Sequence, residues 1–390
     1  MKNDYFYIPQ IEKRNAKAKR FHILVSSAII TTMAFLFFFL FTIIKEGIPA
    51  FKQSYIQVDI EITQELVENP YAINATLDKD IAKFISRSWT RSLPSQIEKN
   101  PDWIGKTVSL SALTNADVDQ YLKGNNHKLS QDQQQKLDKM YEDGIIEFKF
   151  NKIFFTTGDS KIPENAGFFS AMVGSVLTML VTMLIAVPIG LMTAIYLEEF
   201  APDNKFTQFI EININNLAAI PSILFGLLGL AIFINFFGVP RSTPFVGGLT
   251  LALMSLPIII VSAKAALKTV PESIRQAGIG LGLTKWQITR DHVFPLALPG
   301  MLTGSIIALA QALGETAPLI IVGMIAFVPD ASTSIFNAAT VMPAQIYTWS
   351  GMPEGMYIEK TSAAIMLLLG VLLSLNAIAI YLRKKFQPKW

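Results

Sequence analysis

Six long runs, five without a formally charged residue and one with a single glutamate, constrain the fold of this chain more than any other feature of its sequence. A helix needs about 20 apolar residues to cross a bilayer core, and each run has at least 22. Hydrophobic residues make up 51% of the chain and charged residues only 16%, which is unlike a soluble domain. The chain is therefore predicted to be an all-α polytopic membrane protein with six transmembrane helices, at residues 23–44, 166–197, 212–240, 242–263, 293–329 and 361–382.

The first run follows the basic stretch "KRNAKAKRF", an arrangement that also occurs in secretory signals. The 22 uncharged residues of this run exceed the apolar core of a signal peptide, which has roughly 7–15 residues. The run is therefore interpreted as an uncleaved membrane anchor.

Lys and Arg in the short flanking segments predict the orientation, because positively charged loops stay in the cytoplasm. With the N-terminus inside, the inner segments hold 16 such residues and the short outer loops hold two, Arg241 and Lys360. Both termini are thus predicted to be cytoplasmic. The predicted parts are a basic cytoplasmic N-terminus at 1–22, a first helix at 23–44, an extracytoplasmic domain at 45–165, a five-helix core at 166–385 with a cytoplasmic loop at 264–296, and a tail at 386–390.

Residues 45–165 carry local patterns of their own. "YIQVDIEIT" alternates apolar and polar residues with the period of a half-buried strand, and "IIEFKFNKIFF" alternates again. "SQDQQQKLDKMYEDG" opens with Ser130 and Gln133 in a capping-box pattern and ends at Gly144, which predicts a helix. A small α+β domain inserted after the first span is predicted. Its net charge of −3 does not favour nucleic-acid binding.

Nothing in the sequence predicts a catalytic or nucleotide site. "GKT" at 105–107 would end a phosphate-binding loop only if position 100 were glycine, and it is Asn100. "GIGLG" at 278–282 lacks the dinucleotide-binding spacing. The three histidines are far apart, cysteine is absent, and no nucleophile–histidine–acid pattern is recognisable. The chain is expected to be no enzyme by itself and to hold no metal or cofactor.

The predicted cytoplasmic loop has the features of a docking segment. Ile274, Ala277, Leu281 and Ile288 have helical spacing, broken by Gly282, and the prolines at 295 and 299 are predicted to end the helix. A short helix with apolar, small and basic residues suits the groove of a partner protein. It equally suits a helix that lies on lipid headgroups.

The stretch "RQAGIGLGLTKWQITRDHVFPLALPG" resembles the EAA loop of binding-protein-dependent ABC importer permeases. Gln276, Ala277 and Gly278 stand at the E-A-A, Gly282 stands at the glycine, and Leu298 and Pro299 stand at the L-P. The first and third residues of the triplet depart from the pattern. The resemblance implies that this loop couples the permease to an ATPase.

Five further stretches resemble phosphate transporter permeases of the PstA family, in the variant with an extended N-terminal portion. They are "AIYLEEFAPDN", "AAIPSILFGLLGL", "LTLALMSLPIII", "QALGETAPLI" and "MPAQIYTW". The resemblance implies a phosphate importer in which this chain pairs with a PstC-like second permease and borders lipid. It also implies two PstB-like ATPases, which hold ATP and magnesium, and a periplasmic PstS-like phosphate-binding protein.

Glu315 is the only charged residue between positions 293 and 329. If the fifth span ran over about 300–328, Glu315 would lie near the bilayer centre, where an ionised side chain costs at least ~2.5–3.5 kcal/mol unless it faces protein or water. Glu315 is therefore predicted to line the substrate pathway with Gln311, Thr316 and Ser222. The structural alternative is a buried carboxyl bonded to Gln311 or Thr316. Many relatives have arginine where Gln311 stands, so Glu315 is either protonated or paired with a cation of the partner permease.

Three other functions stay open at this point. A secondary transporter or channel would also use a carboxylate within the membrane, but would need no docking loop. A membrane sensor would place its specificity in residues 45–165. An importer of another oxyanion, such as molybdate or sulfate, would have the same architecture.

Overall fold

The computed structural model of the chain describes residues 9–73, 77 and 79–386. Within that part, five helices are long and apolar enough to cross a membrane, and a pair of shorter helices with a 107° bend forms a sixth candidate. A small sheet accompanies them. The predicted class, a helical membrane protein with an inserted α+β unit, is confirmed. Residues 1–8 and 387–390, which belong to the predicted cytoplasmic ends, lie outside the described residues.

The sheet domain, residues 48–165, has a three-stranded antiparallel sheet in the order β2-β1-β3. Ile56, Ile60 and Ile62 point into its core and are at most 1% exposed, because alternate residues of a strand share one face. The strands are β1 Lys52–Glu61, β2 Thr107–Leu113 and β3 Ile146–Phe150, and the helices are α2 Gln64–Glu68, α3 Lys79–Phe84, α4 Arg87–Lys99, α5 Ala116–Leu122, α6 Gln131–Glu142 and α7 Lys152–Thr156. The first long helix, α1 Pro9–Gly47, precedes this domain.

Two local predictions in the sheet domain have different outcomes. The helix that begins after Ser130 is confirmed, together with both reciprocal hydrogen bonds of the capping box between Ser130 and Gln133. The second predicted strand is confirmed only as far as Phe150. The Asn151 side chain accepts a hydrogen bond from the Phe154 N–H and starts α7, so the continuation of the strand through "NKIFF" is wrong.

The membrane part is built around α11, Pro244–Lys268. This helix packs against α8, Phe169–Ile195, and α14, Phe294–Gly314. Ala186, Ala252, Ile259 and Ala308 form a buried cluster between these helices, as expected where small side chains let backbones approach. The last long helix, α17, packs against α1 and α14. The other elements are α8 Phe169–Ile195, α9 Lys205–Ala218, α10 Ser222–Leu228, α12 Glu272–Gly280, α13 Lys285–Ile288, α14 Phe294–Gly314, α15 Ala317–Ile321, α16 Met342–Ser350 and α17 Gly355–Phe386. Three of the described segments are π-helical. Tyr196–Phe200 extends α8, and Gly229–Phe236 extends α10. Thr289–Val293 joins α13 to α14.

The third predicted span is not one straight helix. The run at 212–240 is divided between α9 and α10, which meet at the 107° bend. Pro221 lies at the break, where its missing N–H and its restriction of the preceding residue both disfavour a continuous helix.

The helix of the fifth predicted span ends before the apolar run at 293–329 does. The helix ends at Gly314, and Glu315 follows in an extended conformation with φ −74° and ψ 129°. The expectation that Glu315 lies at the middle of a helix over 300–328 is therefore wrong. Two residues later the chain enters α15, which has only five residues.

Candidate ATPase-docking surface and translocation path

The predicted docking residues lie on and beside α12. Gln276 and Ala277 are exposed, whereas Gly278 is buried. A Cβ atom on Gly278 would stand 2.6 Å from Ile288 Cγ1, so this glycine lets α12 pack closely on α13. The structure thus separates the triplet into two exposed positions and one packing position.

Gly282 ends the turn after α12 for a different reason. Its φ of +77° is in the left-handed region that favours glycine, and no atom lies within 4 Å of the Cβ that a substitution would add. Gly282 is therefore needed for the backbone conformation rather than for a close helix contact.

Three large apolar side chains are exposed on this part of the molecule. Leu281 is 80% exposed, Ile279 61% and Trp286 58%. Ile288, which shares the predicted helical pattern of Leu281, is buried instead. An apolar group of this kind next to polar Gln276 suits a protein partner.

Leu298 and Pro299 lie within α14, near the cytoplasmic end that the orientation predicts. Pro299 is buried and Leu298 is half-buried. The prediction that Pro295 and Pro299 end the helix is wrong, because α14 continues through both. The π-helical segment 289–293 precedes Pro295, and such a bulge changes the backbone hydrogen bonding where proline has no N–H to donate.

Sequence reasoning missed Arg275, the residue that fixes α12 to the membrane core. Arg275 Nη2 and Nε donate to the two carboxylate oxygens of Glu199 at 2.6 Å and 3.1 Å. These hydrogen bonds raise the pKa of Arg275, although partial burial opposes them. The two residues are 76 positions apart, so no local pattern connects them. The only signal for their pairing was that they are oppositely charged and lie at the same predicted face of the membrane.

The predicted pathway residues lie near the break between α14 and α15. Gln311 is exposed, and Glu315, Thr316 and Ser222 are half-buried. Within the described part of the chain, the Glu315 side chain makes no ion pair and no hydrogen bond, so the alternative bonds to Gln311 and Thr316 are absent. The structure therefore provides no cation for Glu315 within these residues.

Packing between α10 and α15 brings the two parts of this predicted path together. A Cβ atom on Gly226 would stand 2.7 Å from Pro318 Cα, so the two short helices approach backbone to backbone. Ser222 begins α10, and Thr316 directly precedes α15. These polar residues therefore lie on two packed half-helices that both begin within the membrane part.

The sheet domain is joined to the N-terminal end of α17 by two consecutive charged residues. Lys360 is 1% exposed and donates to the carbonyl oxygens of Pro163 and Ala166. Glu359 accepts from Lys123 Nζ at 3.0 Å. A cleft of about 1200 Å³ beside this joint is lined by Arg87, Lys128, Lys161 and Glu164 of the sheet domain and by Met356 of α17. Burial raises the pKa of Glu164, although a hydrogen bond from the Ser86 hydroxyl opposes this.

The profile of the family described as binding-protein-dependent transport system inner membrane component matches residues 186–389, just over half of the chain. The chain belongs to this family. A domain of unknown function (DUF3333) matches residues 9–79 and 70–132, which cover α1 and much of the sheet domain. Within the described residues, no group of three or more His, Asp or Glu residues is placed to hold a metal ion.

Curated relatives resemble the family part of the chain. The "Probable ABC transporter permease protein YqgI" of Bacillus subtilis is 33% identical over 177 residues, which cover 45% of this chain and 59% of that protein. The phosphate transport system permease protein PstA of Mycobacterium leprae is 33% identical over 196 residues, which cover 50% of this chain and 63% of that protein. The chain thus matches less than two thirds of the length of either relative.

A solved structure of the MetNI methionine ABC transporter, in an inward-facing conformation, shares 17% identity with this chain. The superposition covers 55% of this chain and 95% of that one, with a TM-score of 0.45.

Proposed function

We propose that this chain is a permease subunit of an ATP-driven importer of inorganic phosphate. The observation that carries this proposal is the 33% identity to the PstA permease of Mycobacterium leprae, added to membership of the binding-protein-dependent family. Membership of that family favours ATP-driven import over a secondary transporter, a channel or a sensor.

The proposed complex assigns each surface of the chain to a partner. The exposed residues around Gln276, Leu281 and Trp286 would dock into one of two ATPases, which bind ATP and magnesium for the complex. A second permease would cover the exposed Gln311 and provide the other side of the path. An extracytoplasmic phosphate-binding protein would deliver the substrate. Both chain ends would lie in the cytoplasm, in line with the excess of Lys and Arg there.

In this complex, substrate would pass along the break between α14 and α15. Glu315 lacks a cation of its own in the described residues, so the second permease or a bound proton would balance its charge. ATP-driven closure of the ATPases would move α12, and rigid-body rearrangement of the spans would open the path alternately to each side.

The proposal is tested by uptake of radiolabelled phosphate in cells that lack every other phosphate importer. Cells with the intact gene should accumulate phosphate, and deletion of the gene should abolish the uptake. An excess of unlabelled phosphate should compete, whereas molybdate and sulfate should not. Competition by molybdate or sulfate alone would assign the permease to that oxyanion instead.

A further inference from the structure

The Arg275 side chain donates four hydrogen bonds to residues outside its own helix. Besides the two bonds to Glu199, Nη1 donates to the carbonyl oxygen of Val270 at 2.9 Å and Nη2 to that of Leu267 at 3.2 Å. The side chains of Arg275 and Glu199 are only 16% and 8% exposed. This contact is therefore shielded from water, unlike an ordinary surface ion pair, which contributes little to stability.

The partners of Arg275 belong to the ends of two different spans. Glu199 lies in the π-helical segment that extends α8. Leu267 is in the last turn of α11, and Val270 follows that helix. The Leu267 carbonyl also accepts from the Val270 N–H at 3.2 Å, so the guanidinium adds a second donor at this helix end. One side chain thus joins α12 to the neighbouring ends of α8 and α11.

Other charged residues connect α9 to the same two helix ends. Lys264 of α11 contacts Glu211 of α9, and it lies 3.8 Å from Glu198, the residue before Glu199. The end of α8, the end of α11 and α9 are therefore linked by alternating charges. A displacement of α12 would be transmitted directly to these elements.

We propose that the contact between Arg275 and Glu199 makes α12 move as one body with the adjoining ends of α8 and α11 when the ATPase closes. Arg275 is a positioning residue in this role, and it does not touch the ATPase. The inference rests on the proposed docking of an ATPase to α12, and it is independent of which oxyanion is carried.

The planar fork of arginine is what the geometry requires, since lysine would keep the charge but could not bind both carboxylate oxygens and two carbonyls together. Arg275→Lys is therefore the informative variant. Arg290→Lys is a matched control. Arg290 also binds a carboxylate with two hydrogen bonds, but its partner is the adjacent Asp291, so that pair joins no two elements.

The experiment uses the purified complex in liposomes with the binding protein and phosphate as the probe. It measures ATPase co-purification, basal ATP hydrolysis followed through ADP, and the stimulation of hydrolysis by phosphate-loaded binding protein. We expect Arg275→Lys to keep co-purification and basal hydrolysis while stimulation and uptake fall about fivefold or more, the range of typical coupling energies. Arg290→Lys should match the unmodified complex.

A charge exchange provides a rescue test. Arg275→Glu alone should uncouple the complex, and the pair Arg275→Glu with Glu199→Arg should recover part of the stimulation because the ion pair is restored. Normal stimulation in Arg275→Lys, or loss of ATPase co-purification in that variant, would overturn the positioning role. If phosphate fails to stimulate even the unmodified complex, the substrate proposal fails instead, and the same comparison is made with whichever of molybdate or sulfate stimulates it.

Discussion

Lys360 Nζ lies 2.6 Å from the carbonyl oxygen of Ala166, so the N-terminal end of the last helix holds the segment that leads into α8. The same segment is held from the other side by Gln53 of β1, whose side-chain amide donates to the Glu164 carbonyl oxygen at 2.7 Å. The sheet domain and the membrane part therefore meet at a buried and hydrogen-bonded joint. A lysine with this little exposure is retained only where its ammonium group has partners.

Removal of the ammonium group should weaken this joint. Lys360→Met keeps the length of the side chain but leaves the Ala166 carbonyl without its lysine donor, at a cost of about 1–3 kcal/mol. The Pro163 carbonyl loses the lysine but keeps the Ala166 N–H at 3.2 Å. We expect a lower apparent melting temperature in detergent and faster proteolysis near residues 157–165. Lys152→Met is the control, since Lys152 is exposed on α7 and should tolerate the change. Equal melting temperatures for the two variants would contradict the importance of the joint.

The conformation of Gly282 predicts a difference between two nearby glycines. Gly280 and Gly282 both have open space where a Cβ would lie, but only Gly282 has a positive φ. Gly282→Ala should cost roughly 1–2 kcal/mol of local strain and lower ATP-driven uptake by altering the turn after α12. Gly280→Ala should be neutral or slightly stabilising, because alanine favours a helix. Parallel uptake and ATPase-binding assays compare them, and equal behaviour would exclude a role for the turn.

The close backbone contact between α10 and α15 leads to a third prediction. Gly226→Ala forces a methyl group against Pro318, a backbone neighbour that cannot rotate away, and such overpacking costs about 1–3 kcal/mol. We expect lower stability and reduced transport, because Ser222 and Thr316 are displaced relative to each other. Gly370→Ala provides the control, since no atom lies within 4 Å of a Cβ at that position of α17. Thermal unfolding should show a loss for the first variant alone.

Local patterns predicted much of this structure, and long-range contacts account for what they missed. The capping box at Ser130 was predictable because both partners lie within one helical turn. The end of α14 at Gly314 was not predicted, because the span was placed by the length of its apolar run, although Gly314 and Pro318 are residue types that commonly end a helix. The contacts of Arg275 and Lys360 join residues far apart in the chain, and no spacing rule connects them.

We expect substitution of Glu315 to reduce transport without affecting assembly of the complex. Glu315→Gln preserves shape and hydrogen-bonding groups, so the complex should assemble while phosphate uptake falls several-fold. Gln311→Arg should be tolerated, because Gln311 is exposed in the last turn of α14 and arginine would supply a positive charge four residues before Glu315. Uptake is measured for both variants over a range of about pH 5.5 to 8. An unchanged rate for Glu315→Gln over that range would place Glu315 outside the pathway.

ATP-driven uptake of radiolabelled phosphate into proteoliposomes tests the central claim most directly. The vesicles contain this chain, the second permease and the two ATPases, with the phosphate-loaded binding protein present on the side of the sheet domain and ATP on the side of α12. Phosphate should accumulate inside the compartment that contains ATP, and omission of ATP or of this chain should stop it. Accumulation of molybdate or sulfate without phosphate, or phosphate entry that needs no ATP, would contradict the account.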